Sequence, residues 1–245
     1  MRFTSEQRLD GVVLEREFTL GEVPGILWTP EDESASEPAP LILLGHPGGL
    51  HGMYPRLAAR ARHSVAEGFA AATIELPGSG TRPRLPAVEE ARADLRRALK
   101  AGEPVDDGIV ERLVLPLVDK AVPEWRTVLD ALLTLPGIGG PVGYSGGVTA
   151  IGIRMAVAEP RIAAALLFAG SYVPRATFEE ARRVAVPLLV LLQWDDEGND
   201  RQLALDLFEA FGSAEKTLHA NMGGHTGVPQ FEGDDAGRFF VRHLK

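Results

Sequence analysis

Short, nearly unbroken apolar runs recur along the chain at Leu41 to Leu44, Ala70 to Leu76, Ala163 to Phe168 and Pro187 to Leu192. Runs of this length, bounded by glycine, proline and polar residues, predict strands buried on both faces, because such strands need no alternation of apolar and polar positions. Pro141 to Tyr144 adds a shorter strand behind the breaker Gly137 to Pro141. Between the runs, Tyr54 to Glu67, Ala87 to Lys100, Ile109 to Leu133 and Val148 to Val157 have helical composition. Strands alternating with helices predict a mostly parallel α/β sheet covered on both faces. Ahead of this series, Val12 to Leu20 and Val23 to Thr29, separated by Gly21-Glu22, predict a hairpin, and Glu31 to Pro40 a polar, exposed connection.

One interval breaks the rhythm. The stretch between the strand at Ala70 and the one at Pro141 is far longer than one crossover helix requires. Ile109 to Leu133 can supply that crossover, with interruptions expected at Pro116 and Pro123. Residues 82 to 115 then form an insertion, expected to be a small helical cap over the site. A solvated surface helix would have the same many charges.

At 245 residues and 45% hydrophobic, the chain can bury a large core, and one domain spanning 1–245 is the simplest reading. No apolar run approaches a membrane span, and Met1 to Val13 is charged where a secretory signal would be hydrophobic, so a soluble, cytoplasmic protein is expected. The absence of cysteine excludes disulfides, a thiol nucleophile and thiolate metal sites. A net charge of −9 argues against nucleic acid as a partner, since that binding rests on Lys and Arg neutralising phosphates.

The chemistry concentrates around Pro141-Val142-Gly143-Tyr144-Ser145-Gly146-Gly147. G-x-S-x-G at a strand-to-helix junction predicts a sharp turn that presents Ser145 as a nucleophile, with Gly143 and Gly147 pressed against each other where side chains would clash. A serine hydroxyl needs a base, and the base an orienting acid. Among the histidines, His225 stands in the loop Met222-Gly223-Gly224-His225-Thr226-Gly227 after the alternating segment Lys216 to Ala220. His63 and His243 fall on predicted helices as ordinary surface positions, and His219 inside the strand suits packing. Acid candidates follow the strand Pro187 to Leu192 in Gln193-Trp194-Asp195-Asp196-Glu197, at the rim where open α/β sheets place their sites. His46 and His51 lack a third ligand nearby, so no metal is expected, and no cofactor is implied.

The order Ser145, acid, His225 on an alternating α/β chain resembles the α/β-hydrolase superfamily over most of the sequence. Leu41-Ile42-Leu43-Leu44-Gly45-His46-Pro47-Gly48-Gly49 is similar to its oxyanion strand and loop, with Pro47 in place of a glycine. Glu75-Leu76-Pro77-Gly78-Ser79-Gly80 is similar to its D-x-P-G-x-G turn. The resemblance favours Asp196 over Asp195 as the acid, although the valine and proline of the usual motif are missing after it. Size and simple cap look most like dienelactone-hydrolase-type enzymes and small serine esterases, and Ser145 in place of their common cysteine points to esterase chemistry.

The resemblance therefore implies an α/β-hydrolase fold acting on a small-molecule carboxylic ester through Ser145, His225 and Asp196. The backbone N–H groups of Gly146 and of Gly48 or Gly49 would form the oxyanion hole, and Tyr144 and Trp194 could line the pocket. A thioesterase or lactonase would use the same residues. A ligand-binding protein that keeps the fold without turnover is the alternative of another class. Dimerisation through the cap or a sheet edge stays open.

Overall fold

The apolar runs become the centre of a single sheet in the computed structural model, which describes residues 1–31, 37–170 and 172–245. Residues 32 to 36 of the predicted connection lie outside the described part. In chain order the elements are β1 (Arg2–Leu9), β2 (Val13–Leu20), β3 (Val23–Pro30), β4 (Ala39–Gly45), α1 (Leu50–Ala66), β5 (Ala70–Ile74), α2 (Pro86–Ala101) and α3 (Asp107–Leu132). They continue with β6 (Ile138–Gly146), α4 (Thr149–Ala158), β7 (Ile162–Phe168), α5 (Arg175–Ala181), β8 (Leu188–Gln193), α6 (Arg201–Ala210), β9 (Lys216–Asn221) and α7 (Phe231–Leu244).

The sheet order is β1-β2-β3-β5-β4-β6-β7-β8-β9. From β5 to β9 neighbouring strands are parallel, while β1, β2 and β3 extend the β5 edge as antiparallel strands. Alternate residues of the central strands feed two cores. Leu41, Leu43, Val142, Tyr144, Ala165 and Leu167 pack with α3 and α4, and Ile42, Leu44, Ala164 and Leu166 pack with α1 and α7. Each leucine removed from water this way contributes roughly 1.5–3 kcal/mol.

Three features differ from the sequence-based expectation. β1 was not anticipated, because almost all its side chains are exposed and it carries no apolar face. Pairing with β2 holds it, supplemented by Gln7, whose Nε2 donates to the buried Glu15 carboxylate at 2.5 Å. Trp28 Nε1 and Tyr54 Oη donate to the same carboxylate and tie β2 and β3 to α1. Second, Pro116 and Pro123 do not interrupt α3, which runs unbroken for 26 residues. Its apolar face, from Val110 through Val118, Ala121 and Trp125 to Leu132, is buried, and that packing outweighs the lost backbone bonds. Third, His243 is not a surface position, since its ring lies against Phe239 with centroids 4.8 Å apart and its side chain is largely covered.

The insertion folds as α2 lying along the first half of α3. Arg112 joins Asp94 at 2.8 Å across that contact, and Arg82 forks onto Glu124 at 2.7 and 2.5 Å. No helix among the described residues is long and apolar enough to cross a membrane.

Glu159, just beyond α4, closes the bottom of the sheet. Its side chain is 1% exposed and accepts from Arg161 and Arg126, chiefly Arg161, which lowers its pKa from 4.5 to about 2. Because the folded value lies below the unfolded one, this pair adds stability that is full above about pH 4.5 and is lost as the pH falls toward 2. Glu159→Gln should therefore lower the denaturation midpoint at pH 7 and flatten the acid limb of the stability curve. Urea titrations of both proteins from pH 7 to pH 3 measure this, and parallel curves would refute it.

Candidate active site

Two pairs of strand ends, β4 with β6 and β8 with β9, separated by β7, build the candidate site. At the first, β4 and β6 run parallel with Leu44 opposite Ser145 and Gly45 opposite Gly146. Alternation along β6 sends Val142 and Tyr144 toward α3 and α4, and Gly143 and Ser145 toward α1 and α7. Ser145 is buried, and its Oγ accepts a hydrogen bond from Arg60 Nη2 of α1 at 3.0 Å. The same guanidinium donates to the main-chain oxygens of Ser145 (2.5 Å) and Gly45 (2.8 Å).

The turn after Ser145 is made by glycines. Gly146 and Gly147 have φ of +74° and +80°, whereas Ser145 is not among the residues with positive φ. The expected elbow is thus corrected in its details: Ser145 ends the strand, and the two residues after it take the left-handed backbone, where glycine bears it at least cost. Nor do Gly143 and Gly147 crowd each other. A side chain at Gly143 would meet Phe240 and Leu244 of α7, and one at Gly147 would lie 2.7 Å from the His46 backbone nitrogen.

The loop after β4 is fixed from below. His46 is buried, with Nε2 2.8 Å from the Ile74 carbonyl, so that nitrogen donates; burial lowers the ring's pKa and favours the neutral form. Leu50 N donates to the Glu75 carboxylate at 3.1 and 3.2 Å, while burial raises the pKa of that carboxyl. Between these anchors, the N–H groups of Gly48 and Gly49 donate to no protein acceptor among the described residues.

At the second pair of ends, β8 and β9 are joined through Gln193 opposite Asn221. Trp194 N donates to Asn221 O at 2.6 Å and Gln193 Nε2 to Gly224 O at 3.1 Å, so the loop after β9 is bound to the loop after β8. The adjacent acids divide their work. Asp196, with its side chain 7% exposed, places Oδ2 2.7 Å from His225 Nδ1. Asp195 Oδ1 instead accepts the N–H groups of Gly223 and Gly224 at 2.8 and 2.9 Å, and these bonds, Gly224 first, lower its pKa. Sequence reasoning had no signal for this anchoring role.

His225 is 72% exposed and lines a cleft of about 540 Å³ with Tyr172, Asp195, Asp196, Glu197, Gly198 and Gly224. Tyr172 is a non-glycine residue with φ +58°, a costly conformation often found beside functional sites. The structure brings Asp196 and His225 together, whereas Ser145 and His225 share no hydrogen bond among the described residues. Residues 82 to 115 contribute nothing to the lining. Tyr144, expected near the pocket, is 1% exposed and packs edge-on against Trp125 in the core. Trp194 is 42% exposed beside the acids, under the Arg201 guanidinium. A larger cleft of about 650 Å³ between the β1–β2 turn and the end of α1 holds the Arg62–Asp10 pair and no histidine or serine.

One grouping could in principle ligate a metal: His219, Glu232 and Asp235, whose donor atoms lie within 4.8 Å of one another. Its geometry already serves to clasp β9 to α7. His219 Nδ1 and Asn221 Nδ2 lie 2.9 and 2.6 Å from the buried Glu232 carboxylate, and Arg238 pairs with Asp235.

A largely parallel sheet, covered on both faces and carrying its polar groups at the carboxyl ends of β4, β6, β8 and β9, is the α/β-hydrolase fold. No family model matches the sequence, and no curated protein does. Among solved structures, a cold-adapted esterase from an Arctic intertidal metagenomic library is 28% identical, covers 100% of both chains and superposes with a TM-score of 0.76. A dienelactone hydrolase from Anabaena variabilis is 20% identical over 98% of this chain and 99% of its own, with a TM-score of 0.60. An acetyl xylan esterase from a Paenibacillus species is 12% identical over 99% of this chain and 88% of its own, at 0.66. This likeness supports a hydrolase.

If Asp195 anchors the His225 loop, Asp195→Ala should make the Gly223 and Gly224 amides exchange severalfold faster with deuterium, while Asp196→Ala leaves them protected. Amide exchange read by NMR checks this, and equal protection in Asp195→Ala would refute it.

Proposed function

We propose that the chain is a serine hydrolase that cleaves a carboxylic ester of a small or medium acyl group. Ser145 is the nucleophile, His225 the general base and then acid, and Asp196 the carboxylate that orients the imidazole. The N–H of Gly146, with that of Gly48 or Gly49, holds the oxyanion. The observation that carries this reading is the 2.7 Å contact between His225 Nδ1 and the covered Asp196 carboxylate at the carboxyl edge of the sheet. An ionised carboxylate only accepts, so Nδ1 carries the proton and Nε2 keeps its lone pair for a substrate-side proton.

The reaction follows from these roles. Ser145 Oγ attacks the ester carbonyl as its proton passes to His225 Nε2, the imidazolium protonates the departing alcohol, and water repeats both steps on the acyl-enzyme. Ser145 and His225 must close on each other as substrate binds, a tightening common between free and substrate-bound sites. The esterase neighbours support an ester as the scissile group. Thioesters and lactones would engage the same groups. Asp195, Asp196 and Glu197 in the cleft favour an uncharged ester over an anionic one, since like charges brought together are repelled.

A non-catalytic ligand-binding protein on the same fold is the second reading, favoured by the hydrogen bond of Ser145 Oγ to Arg60 in place of His225. A fluorophosphonate probe separates the two. Labelling should fall on Ser145 and disappear in His225→Ala, and Ser145→Ala should lose about 10⁴-fold or more of ester turnover while staying folded. A folded protein that takes no label would favour the binding reading.

A further inference from the structure

Arg60 is the unexpected group beside Ser145. It comes from α1, a helix whose alanine and arginine content gave no hint of a role, and its guanidinium reaches across the ends of β4 and β6. One nitrogen bonds the Gly45 carbonyl, while the other bonds both the carbonyl and the hydroxyl of Ser145. Gly146 leaves room for it, since a side chain there would lie 3.0 Å from Nη2. No carboxylate pairs with Arg60 among the described residues. Burial accordingly pulls its pKa down to about 10, which leaves it charged at neutral pH. A part-buried cation without a carboxylate partner is costly.

Resting on the serine-hydrolase reading above, we infer that Arg60 is the positioning residue of the nucleophile: its guanidinium holds Ser145 Oγ at a fixed place relative to the oxyanion loop and directs the hydroxyl proton toward His225. The directionality comes from the chemistry of the group. A guanidinium has donors and no acceptor, so in the bond to Arg60 the serine oxygen must be the acceptor. Its own hydrogen is thereby left to point elsewhere. When Oγ gives its electron pair to the acyl carbon, that proton goes to His225 Nε2 and none goes to or from Arg60. The cation also favours the negative charge that builds on Oγ as the proton leaves. Through its bond to Gly45, the same side chain sets how far Ser145 stands from the loop that follows β4.

The rate of fluorophosphonate labelling at Ser145, read by mass spectrometry, tests this together with kcat and KM on a neutral ester. Arg60→Met keeps the bulk of the side chain and removes the donors. It should slow labelling and lower kcat by about 10²-fold, the scale of losing one preorganised donor, with KM changed less than about threefold. Arg60→Lys, which restores the charge and part of the donor set, should recover about tenfold of that loss. A purely structural role would lower the melting temperature of both variants while each folded molecule kept its labelling rate and kcat. Wild-type labelling with a folded Arg60→Met that labels within about threefold of it would overturn the positioning role alone. A wild-type protein that never labels at Ser145 would overturn the serine-hydrolase reading and this inference with it. Should Arg60→Met not fold, Arg60→Gln and Arg60→Lys supply the same comparison, and equal rates in both folded variants and wild type would overturn it.

Discussion

The parallel pairing of β4 with β6 is the constraint on which the rest of the site depends. It puts Leu44 beside Ser145 and Gly45 beside Gly146, so the turns that leave the two strands must start side by side. Side-by-side turns in a parallel sheet compete for the same volume. The conflict is resolved by backbone without side chains: Gly147 passes 2.7 Å, measured from where a Cβ would be, from the His46 nitrogen. Gly146 and Gly147 also carry the left-handed conformation that turns the chain into α4. The loop of Gly48 and Gly49 after β4 and Ser145 at the end of β6 are brought side by side by this pairing. Brought together in this way, the two strand ends leave carbonyls that the Arg60 fork caps.

The other half of the site is held by polar contacts rather than by strand pairing. Beyond Gln193 and Asn221 the ladder ends, and the two loops that follow are joined by side chain to backbone: Gln193 to Gly224, and Asp195 to Gly223 and Gly224. Asp195 fixes where the His225 loop lies, and Asp196 fixes how the ring is turned. Two adjacent carboxylates point apart, so each can serve a different partner. The buried pair of ends thus holds Ser145 and the loop of Gly48 and Gly49, and the exposed pair holds Asp196 and His225. Only the second borders the open cleft.

The central strands were legible because burial on both faces writes them as unbroken apolar runs, and β4, β7 and β8 lie within a residue or two of where those runs predict them. β1 was illegible for the converse reason, since a strand held by pairing alone has a polar sequence. The prolines of α3 misled because their local cost is visible in the sequence and the burial that offsets it is not. At the site, residue types and spacing pointed to Ser145, Asp196 and His225, but not to which way Ser145 faces. That depends on the alternation register of β6, which also sends Tyr144 into the core. Arg60 could not be read at all, because one arginine among several on a helix says nothing about which one turns toward the sheet.

The two histidine–carboxylate pairs near the β9 end explain why geometry alone does not make a base. In each, a ring Nδ1 lies within hydrogen-bonding distance of a covered carboxylate, at 2.7 Å for His225 with Asp196 and 2.9 Å for His219 with Glu232. They differ in what supplies the acid. Glu232 comes from α7 and also accepts from Asn221, so its pair binds a strand to the helix packed on it, and the His219 ring is half-buried between them. Asp196 comes from the loop after the adjacent strand, so its pair binds one rim loop to another and leaves the His225 ring facing a cleft. A general base must have one nitrogen fixed and the other within reach of a substrate. A clasp between sheet and helix meets the first condition and loses the second, whereas a clasp between rim loops can meet both. The location of the carboxylate therefore keeps the His219 ring within the fold and leaves the His225 ring open to the cleft, where the proposed reaction needs its base.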